Sequence, residues 1–170
     1  MAWGAKVSPA FRATVANICQ GLNIEPSWLM ACMAFESAET FRPDIRNAAG
    51  SGAVGLIQFM PATARGLGTS TEALAAMSAV EQLDYVRLYF KPYAGRMRNL
   101  ADVYMAILYP KAIGKPDDYV LFARPSIAYS QNAGLDRDGD GYITKAEAIT
   151  RVQAKLTLGL LPSNLWSTDK

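Results

Sequence analysis

A single glutamate at the end of an apolar segment is the first residue of this chain whose surroundings suit acid–base chemistry. Glu36 follows Met33-Ala-Phe35 and precedes Ser37. If the apolar segment is a helix, the carboxyl group lies at the negative end of the helix dipole, and Met33, Phe35 and the more distant Phe59 remove water from it. Both effects favour the protonated acid near neutral pH, so Glu36 could donate a proton to a departing oxygen. The alternative for an isolated glutamate is a solvated residue at a helix end.

An acidic loop over residues 136–147 is the second pattern that suits chemistry. It matches the EF-hand template at every position, with carboxylates at positions 1, 3, 5 and 12 and a glycine at position 6. We expect this loop to hold a structural Ca²⁺, and we expect no cofactor for catalysis. The candidate ligands are the backbone carbonyl of Tyr142 and the side chains of Asp136, Asp138, Asp140, Thr144 and Glu147.

A second interpretation of the same loop needs no metal. Thr144 and Glu147 have the spacing of a capping box, which would begin the last helix after a glycine-rich turn. The sequence contains no second loop of this kind, so an ordinary pair of EF-hands is excluded. The two interpretations of residues 136–147 stay open at this point.

The composition excludes several kinds of catalyst. The chain has no histidine, which removes the commonest general base, the Ser-His and Cys-His nucleophile pairs and the commonest zinc ligand. The net charge is +2 and the basic residues are scattered, so we expect no nucleic-acid partner. Cys19 and Cys32 stand in apolar stretches, where buried free thiols are the expectation.

Length and hydropathy predict one domain, residues 1–170, and a monomer. The first residues contain no apolar run long enough for a secretory signal, and no later stretch reaches membrane-spanning length. We therefore expect synthesis in a cytoplasm and no membrane insertion. A substrate outside that cytoplasm would require another factor to carry the protein across.

The elements that must position these residues are mainly helical. Ser8 and Pro9 begin a helix that Gly21 is expected to end, and a second helix runs from Pro26 to Glu36 or Ser37. Residues 44–58, rich in glycine and alanine, predict a compact loop or small β-hairpin beside the cleft.

Further helices follow along the chain. They are predicted to begin at Pro61, after the Ser78–Glu81 capping box and near Asn99, and the last runs over residues 144–158. A short helix is also predicted over residues 116–123.

The two segments around Glu36 and Gln58 resemble a known family. Glu36-Ser37 is similar to the glutamate-serine motif of the soluble lytic transglycosylases, within the lysozyme superfamily, and Gly55-Leu-Ile-Gln58-Phe-Met-Pro-Ala-Thr-Ala64 is similar to their Gly-Leu-x-Gln-x-Met-Pro-x-Thr-Ala motif. A third element, an Ala-Tyr-Asn turn, has a degraded counterpart at Leu108-Tyr109-Pro110. The resemblance covers about residues 26–115 and implies a mainly helical, α+β lysozyme-like domain.

The resemblance implies cleavage of the β-1,4 bond between N-acetylmuramic acid and N-acetylglucosamine in peptidoglycan. Glu36 would protonate the leaving oxygen and then, as a carboxylate, deprotonate the muramyl 6-hydroxyl, which closes a 1,6-anhydro ring. Ser37 and Gln58 would bind the sugar and Tyr109 would pack in the cleft or hydrogen-bond Glu36. Hydrolysis usually needs a second carboxylate, but Glu39 and Asp44 are expected to be solvated loop acids.

Two other functions remain open at this stage. A hydrolytic muramidase of the lysozyme type would use the same residues, and a non-catalytic, calcium-dependent wall-binding module would keep only the fold. The small size and the lack of a separate wall-binding module are typical of a phage endolysin or a virion-associated enzyme acting on the bacterial cell wall.

Overall fold

The computed structural model describes residues 1–48 and 50–167, which pack around one apolar core. The α-helices are α1 (Pro9–Leu22), α2 (Pro26–Glu36), α3 (Pro61–Gly66), α4 (Thr71–Ala76), α5 (Ala79–Phe90), α6 (Leu100–Leu108), α7 (Ile127–Asn132) and α8 (Lys145–Gly159). Two strands, β1 (Val120–Ala123) and β2 (Tyr142–Thr144), form an antiparallel pair. The mainly helical fold with a small β component is the predicted lysozyme-like architecture.

Helix boundaries follow the capping residues in the sequence. The Ser8 side chain accepts a hydrogen bond from the Phe11 amide at the start of α1, and the capping box of Ser78 and Glu81 begins α5 as predicted. The expected end of α1 at Gly21 is wrong. The helix continues to Leu22 because Asn23 adopts the left-handed conformation and its amide caps the last turn.

The segment predicted as a helix over residues 116–123 is also wrong, since it contains β1. Val120 pairs with Thr144 and Ala123 with Tyr142, so the strand leaving the acidic loop supplies the hydrogen bonds that a local helix would have made. Long-range pairing and a favourable β-propensity outweigh the short helical pattern. The described residues of this segment, 44–48 and 50–58, contain isolated bridges, Arg46 with Val54 and Val54 with Phe59, rather than the regular hairpin that is one of the two expectations.

Helix α2 lies at the centre of the core. Every residue from Leu29 to Ala34 is buried, so this helix is enclosed on all sides and has no solvent-facing stripe. Its neighbours are α1, α6 and above all α8, which packs along it. Cys19 and Cys32 are buried free thiols, as expected. The described part of the chain contains no helix that is both long and apolar enough to cross a membrane.

A buried ion pair fastens α8 to α6. The Lys145 ammonium donates to Asp102 Oδ1 at 2.8 Å, and both side chains are 2 % exposed. Lys145 also donates to the carbonyls of Ala112 and Lys115, while Asp102 accepts from the amide of Gly114. All the charges and donors of this pair are satisfied, as a buried pair requires.

We predict that Lys145→Met strongly destabilises the fold. The substitution leaves the Asp102 carboxylate buried without its cation, which costs about 3–5 kcal/mol of unfolding free energy. Urea denaturation measures the difference, with Lys111→Met as the control because Lys111 is exposed. Equal unfolding free energies for the two variants would show that the pair does not hold α8 in place.

Candidate active site

Glu36 is the last residue of α2 and faces a cavity of about 300 Å³. Helix α2 supplies one wall and α6 supplies a second. The segment from α7 to the following 3₁₀ turn (Ala133–Leu135), together with α8, supplies the rest. The residues that line it are Phe35, Glu36, Tyr104, Leu108, Gln131, Asn132, Gly134, Leu135 and Arg151.

The Glu36 carboxyl group is largely buried and makes no hydrogen bond or ion pair among the described residues. Burial raises the pKa of Glu36 from 4.5 to about 7. The Phe35 and Tyr104 rings meet edge to face at 5.6 Å beside it, and both belong to the cavity wall. An acid with this pKa is partly protonated at neutral pH, so it can serve as a proton donor and, after transfer, as a base.

The two acids nearest to Glu36 in sequence are engaged elsewhere. Glu39 forms an ion pair with Lys155 on α8, and Asp44 forms a two-point contact with Arg42 on the surface. Neither residue lines the Glu36 cavity, where Glu36 is the single carboxylate among the described lining residues. This arrangement agrees with the expectation that Glu39 and Asp44 are loop acids.

Ser37 takes a different position from the one expected of a sugar-binding residue. Its side chain is completely buried, its hydroxyl donates to the Met33 carbonyl at 2.7 Å, and the hydroxyl oxygen accepts from the Phe41 amide at 3.0 Å. Both interactions stabilise the turn that follows α2. The Ser37 hydroxyl thus holds the backbone at the end of α2, and contact between Ser37 and a sugar stays a prediction from the sequence.

Gln58 stabilises its own loop in the structure. Its backbone has a positive φ of 53°, and its side-chain amide donates to the carbonyls of Gly55 at 3.1 Å and Ile45 at 3.3 Å. These bonds use the Nε2 group, and the side chain is half-buried. Contact between Gln58 and a sugar stays a prediction from the sequence.

Gln82 is a positioning residue that sequence reasoning missed. This fully buried side chain accepts from the Leu56 amide at 2.7 Å and donates to the carbonyls of Pro43 and Leu74, each at 2.9 Å. A Cβ on Gly55 would lie 2.3 Å from Gln82 Oε1, so the close approach requires glycine there. A glutamine inside the apolar stripe of α5 was the available signal.

The tyrosine that lines the Glu36 cavity is Tyr104, and Tyr109 is absent from its described lining. Tyr109 ends α6 and packs edge to face on Phe122 at 5.5 Å, with no hydrogen bond to Glu36 in the described residues. Of the two roles expected for Tyr109, the structure shows packing. Burial raises the pKa of the Tyr104 hydroxyl far above its usual range, and the nearby Glu36 adds to that shift.

The acidic loop brings together three of its predicted ligands. Carboxylate oxygens of Asp136, Asp138 and Glu147 all lie within 4.8 Å of one another. Asp136 accepts hydrogen bonds from the Tyr129 hydroxyl at 2.6 Å and from the Gly139 and Gly141 amides. The Tyr129 hydrogen bond contributes most to holding the pKa of Asp136 below its usual value.

Asp140 is not among these gathered carboxylates, while the Thr144 hydroxyl donates to the Glu147 carboxylate of the cluster at 2.8 Å. Asp140 Oδ1 accepts from the Tyr142 amide, and the Tyr142 side chain is exposed. Thr144 and Glu147 form the capping box at the start of α8, with both side chains accepting from the other residue's backbone amide. The capped turn is therefore present, and it coexists with the gathered carboxylates.

Residues 15–95, a little under half of the chain, match the family described as Transglycosylase SLT domain. This segment includes Glu36 and Gln58 and ends before α6, so Tyr109, the acidic loop and α8 lie beyond it. Members of this family are peptidoglycan lytic transglycosylases. No curated protein matches the chain significantly.

We predict that Glu36→Gln stabilises the fold at pH 8 but not at pH 4. The carboxyl titrates near 7 when folded and near 4.5 otherwise, so its stabilising contribution is complete below pH 4.5 and is lost as the pH rises through 7. Glutamine cannot lose a proton, so above pH 7 the unfolding free energy of the variant exceeds that of the parent by about 3 kcal/mol. Denaturant unfolding at the two pH values measures it.

Glu39→Gln is the matched control for that experiment. It removes a carboxylate that is paired with Lys155, so no gain in stability is expected at pH 8. If Glu36→Gln shows the same unfolding free energy as the parent at both pH values, the Glu36 carboxyl is not desolvated.

Proposed function

We propose that this enzyme cleaves peptidoglycan glycan strands as a lytic transglycosylase, with Glu36 as the general acid and base, because its SLT-matched segment contains Glu36 and this residue lines the cavity. The bond cut is the β-1,4 link between N-acetylmuramic acid and N-acetylglucosamine. The observation that carries the proposal is a single, desolvated carboxyl group at the end of a buried helix.

The proposed reaction uses the one carboxyl group twice. Protonated Glu36 first gives its proton to the glycosidic oxygen as the bond from muramyl C1 to that oxygen breaks, which leaves an oxocarbenium-like centre at C1. The Glu36 carboxylate then takes the proton from the muramyl 6-hydroxyl as its oxygen bonds to C1. The products are an anhydro-muramyl end and a free 4-hydroxyl, and Glu36 ends protonated again without any water being consumed.

The absence of a second acid from the described cavity wall favours ring closure over hydrolysis. A hydrolase normally positions a second carboxylate as nucleophile or as base for water, about 5–10 Å from the first. The neighbouring acids Glu39 and Asp44 are both committed to cationic partners. A hydrolytic muramidase remains the alternative, in which water takes the place of the 6-hydroxyl and the product has a reducing end.

We predict that Glu36→Gln lowers the rate of peptidoglycan clearing by at least about 100-fold, since general acid–base catalysis contributes that much or more. Turbidity loss of purified cell walls measures the rate. Glu39→Gln is the control and is expected to keep the parent's rate. A Glu36→Gln protein that clears walls as fast as the parent would contradict the catalytic assignment and favour a wall-binding module.

Mass spectrometry of the released muropeptides separates the two enzymatic alternatives. Anhydro-muramyl ends are expected from the parent protein. Reducing ends in their place would make the chain a muramidase, with Glu36 still its acid.

We also propose that the loop of residues 136–147 binds a structural Ca²⁺. Calcium lies 2.3–2.6 Å from its oxygen ligands, so two ligands on opposite sides are about 5 Å apart. The oxygens of Asp136, Asp138 and Glu147 have this spacing, and their mutual repulsion is relieved by a divalent cation. The ion would fasten the start of α8 to the loop, because Glu147 belongs to the first turn of that helix.

The calcium proposal predicts that chelation lowers the melting temperature. At a calcium concentration of about 100 times the dissociation constant, removal of the ion costs about 2.7 kcal/mol, or roughly 5–10 °C for a chain of this size. Asp136→Ala is expected to abolish the difference between calcium and EDTA, whereas Asp84→Ala on α5 retains it. Equal melting curves for the parent in calcium and in EDTA would contradict the calcium proposal and support the metal-free interpretation of the loop as a capped turn.

The biological setting rests on the sequence. A phage endolysin or virion-associated enzyme, made in a cytoplasm and acting as a monomer on the cell wall, stays a prediction.

A further inference from the structure

The Glu36 cavity contains one cationic side chain among its described lining residues, that of Arg151 on α8. The residue lies well beyond the SLT-matched segment, which ends at residue 95. It therefore belongs to the part of the chain that completes the cavity rather than to the motifs around the acid. The remaining polar lining on this side consists of the uncharged Gln131 and Asn132.

The position of Arg151 is fixed by its helix and by one hydrogen bond. Arg151 Nη2 donates to the Gly134 carbonyl at 2.8 Å, which ties α8 to the 3₁₀ turn of the cavity wall. On α8, Glu147, Arg151 and Lys155 follow one another at intervals of four residues and share a face. Glu147 joins the acidic loop and Lys155 joins Glu39, so both ends of this face are anchored.

Unlike Lys155, which pairs with Glu39, Arg151 has no partner of opposite charge among the described residues. Its exposed guanidinium group uses one N–H on Gly134, and a guanidinium has five. The positive charge also acts on the cavity wall, where it opposes the rise in the pKa of Tyr104. Donors and charge thus remain available to a ligand that enters beside Glu36.

We propose that Arg151 binds a carboxylate of the peptidoglycan strand next to the bond being cut, and so sets the enzyme's preference for acidic glycans. The inference rests on the proposed function. Muramic acid bears a lactyl group whose carboxylate is free in peptide-free strands and amide-linked in peptide-bearing ones, and the stem peptides carry further carboxylates. Guanidinium and carboxylate form the strongest pairing open to such a site.

The two sources of the carboxylate are distinguished by the substrate. If Arg151 binds the lactyl carboxylate, its replacement weakens the binding of strands stripped of their peptides. If it binds a stem-peptide carboxylate, its replacement weakens the binding of peptide-bearing strands. Oligomers of N-acetylglucosamine have the same backbone linkage and carry no carboxylate, so they serve as the neutral reference for both cases.

The test measures glycan affinity by calorimetry in a Glu36→Gln background, where binding is separated from turnover. Adding Arg151→Gln is expected to weaken binding of one or both acidic glycans about 10-fold or more, as loss of a charge-assisted hydrogen bond does, and to leave the N-acetylglucosamine oligomer unchanged. Adding Arg151→Lys is expected to recover part of the affinity. Rising salt should weaken binding to the arginine protein more than to the glutamine variant.

The control is Arg87→Gln in the same background. This substitution removes the same charge, but from α5 and outside the lining of the Glu36 cavity. Melting curves confirm that each variant is folded. Equal affinities of the Arg151 and Arg87 variants for both acidic glycans would overturn the proposal, as would an equal loss of affinity for the neutral oligomer. A Glu36→Gln protein that clears cell walls as fast as the parent would instead refute the proposed mechanism, and the turbidity assay detects this outcome separately.

Discussion

Desolvation of one carboxyl group is the constraint on which the rest of the site depends. Glu36 ends a helix whose central residues are all buried, and its carboxyl group is desolvated and forms no ion pair among the described residues. Burying an unpaired ionised carboxylate is costly, and the group responds by holding its proton. The same arrangement that lowers stability at high pH supplies an acid near neutral pH. The Ser37 side chain fixes the backbone that follows the end of α2.

The second half of the chain is part of the site although it lies outside the matched family segment. Helix α8 packs along α2 and is fastened to α6 by the buried Lys145–Asp102 pair. Through Lys155 it neutralises Glu39, which would otherwise be an acid close to Glu36 in sequence. Through Arg151 it reaches the cavity. One helix therefore pairs with the neighbouring acid Glu39 and also carries the cation that we propose for substrate binding.

Local signals in the sequence predicted most of the fold and the position of Glu36. Capping residues and prolines defined the helix starts, because their effects depend on a few neighbouring backbone groups. The error over residues 116–123 arose where distant pairing decides: β1 is a strand because β2 lies beside it. The choice of Tyr104 over Tyr109 in the cavity wall depends on how α6 is rotated against α2, which the sequence does not display.

The most direct measurement of the central claim is the titration of the Glu36 carboxyl carbon by NMR in the folded protein. Labelled glutamate would be assigned by comparison with Glu36→Gln, and its shift followed from pH 3 to pH 9. The account predicts a midpoint near 7, set by burial of the carboxyl group. A midpoint near 4.3, the value of a solvated glutamate, would contradict it and leave the cavity without an acid suited to protonate a glycosidic oxygen.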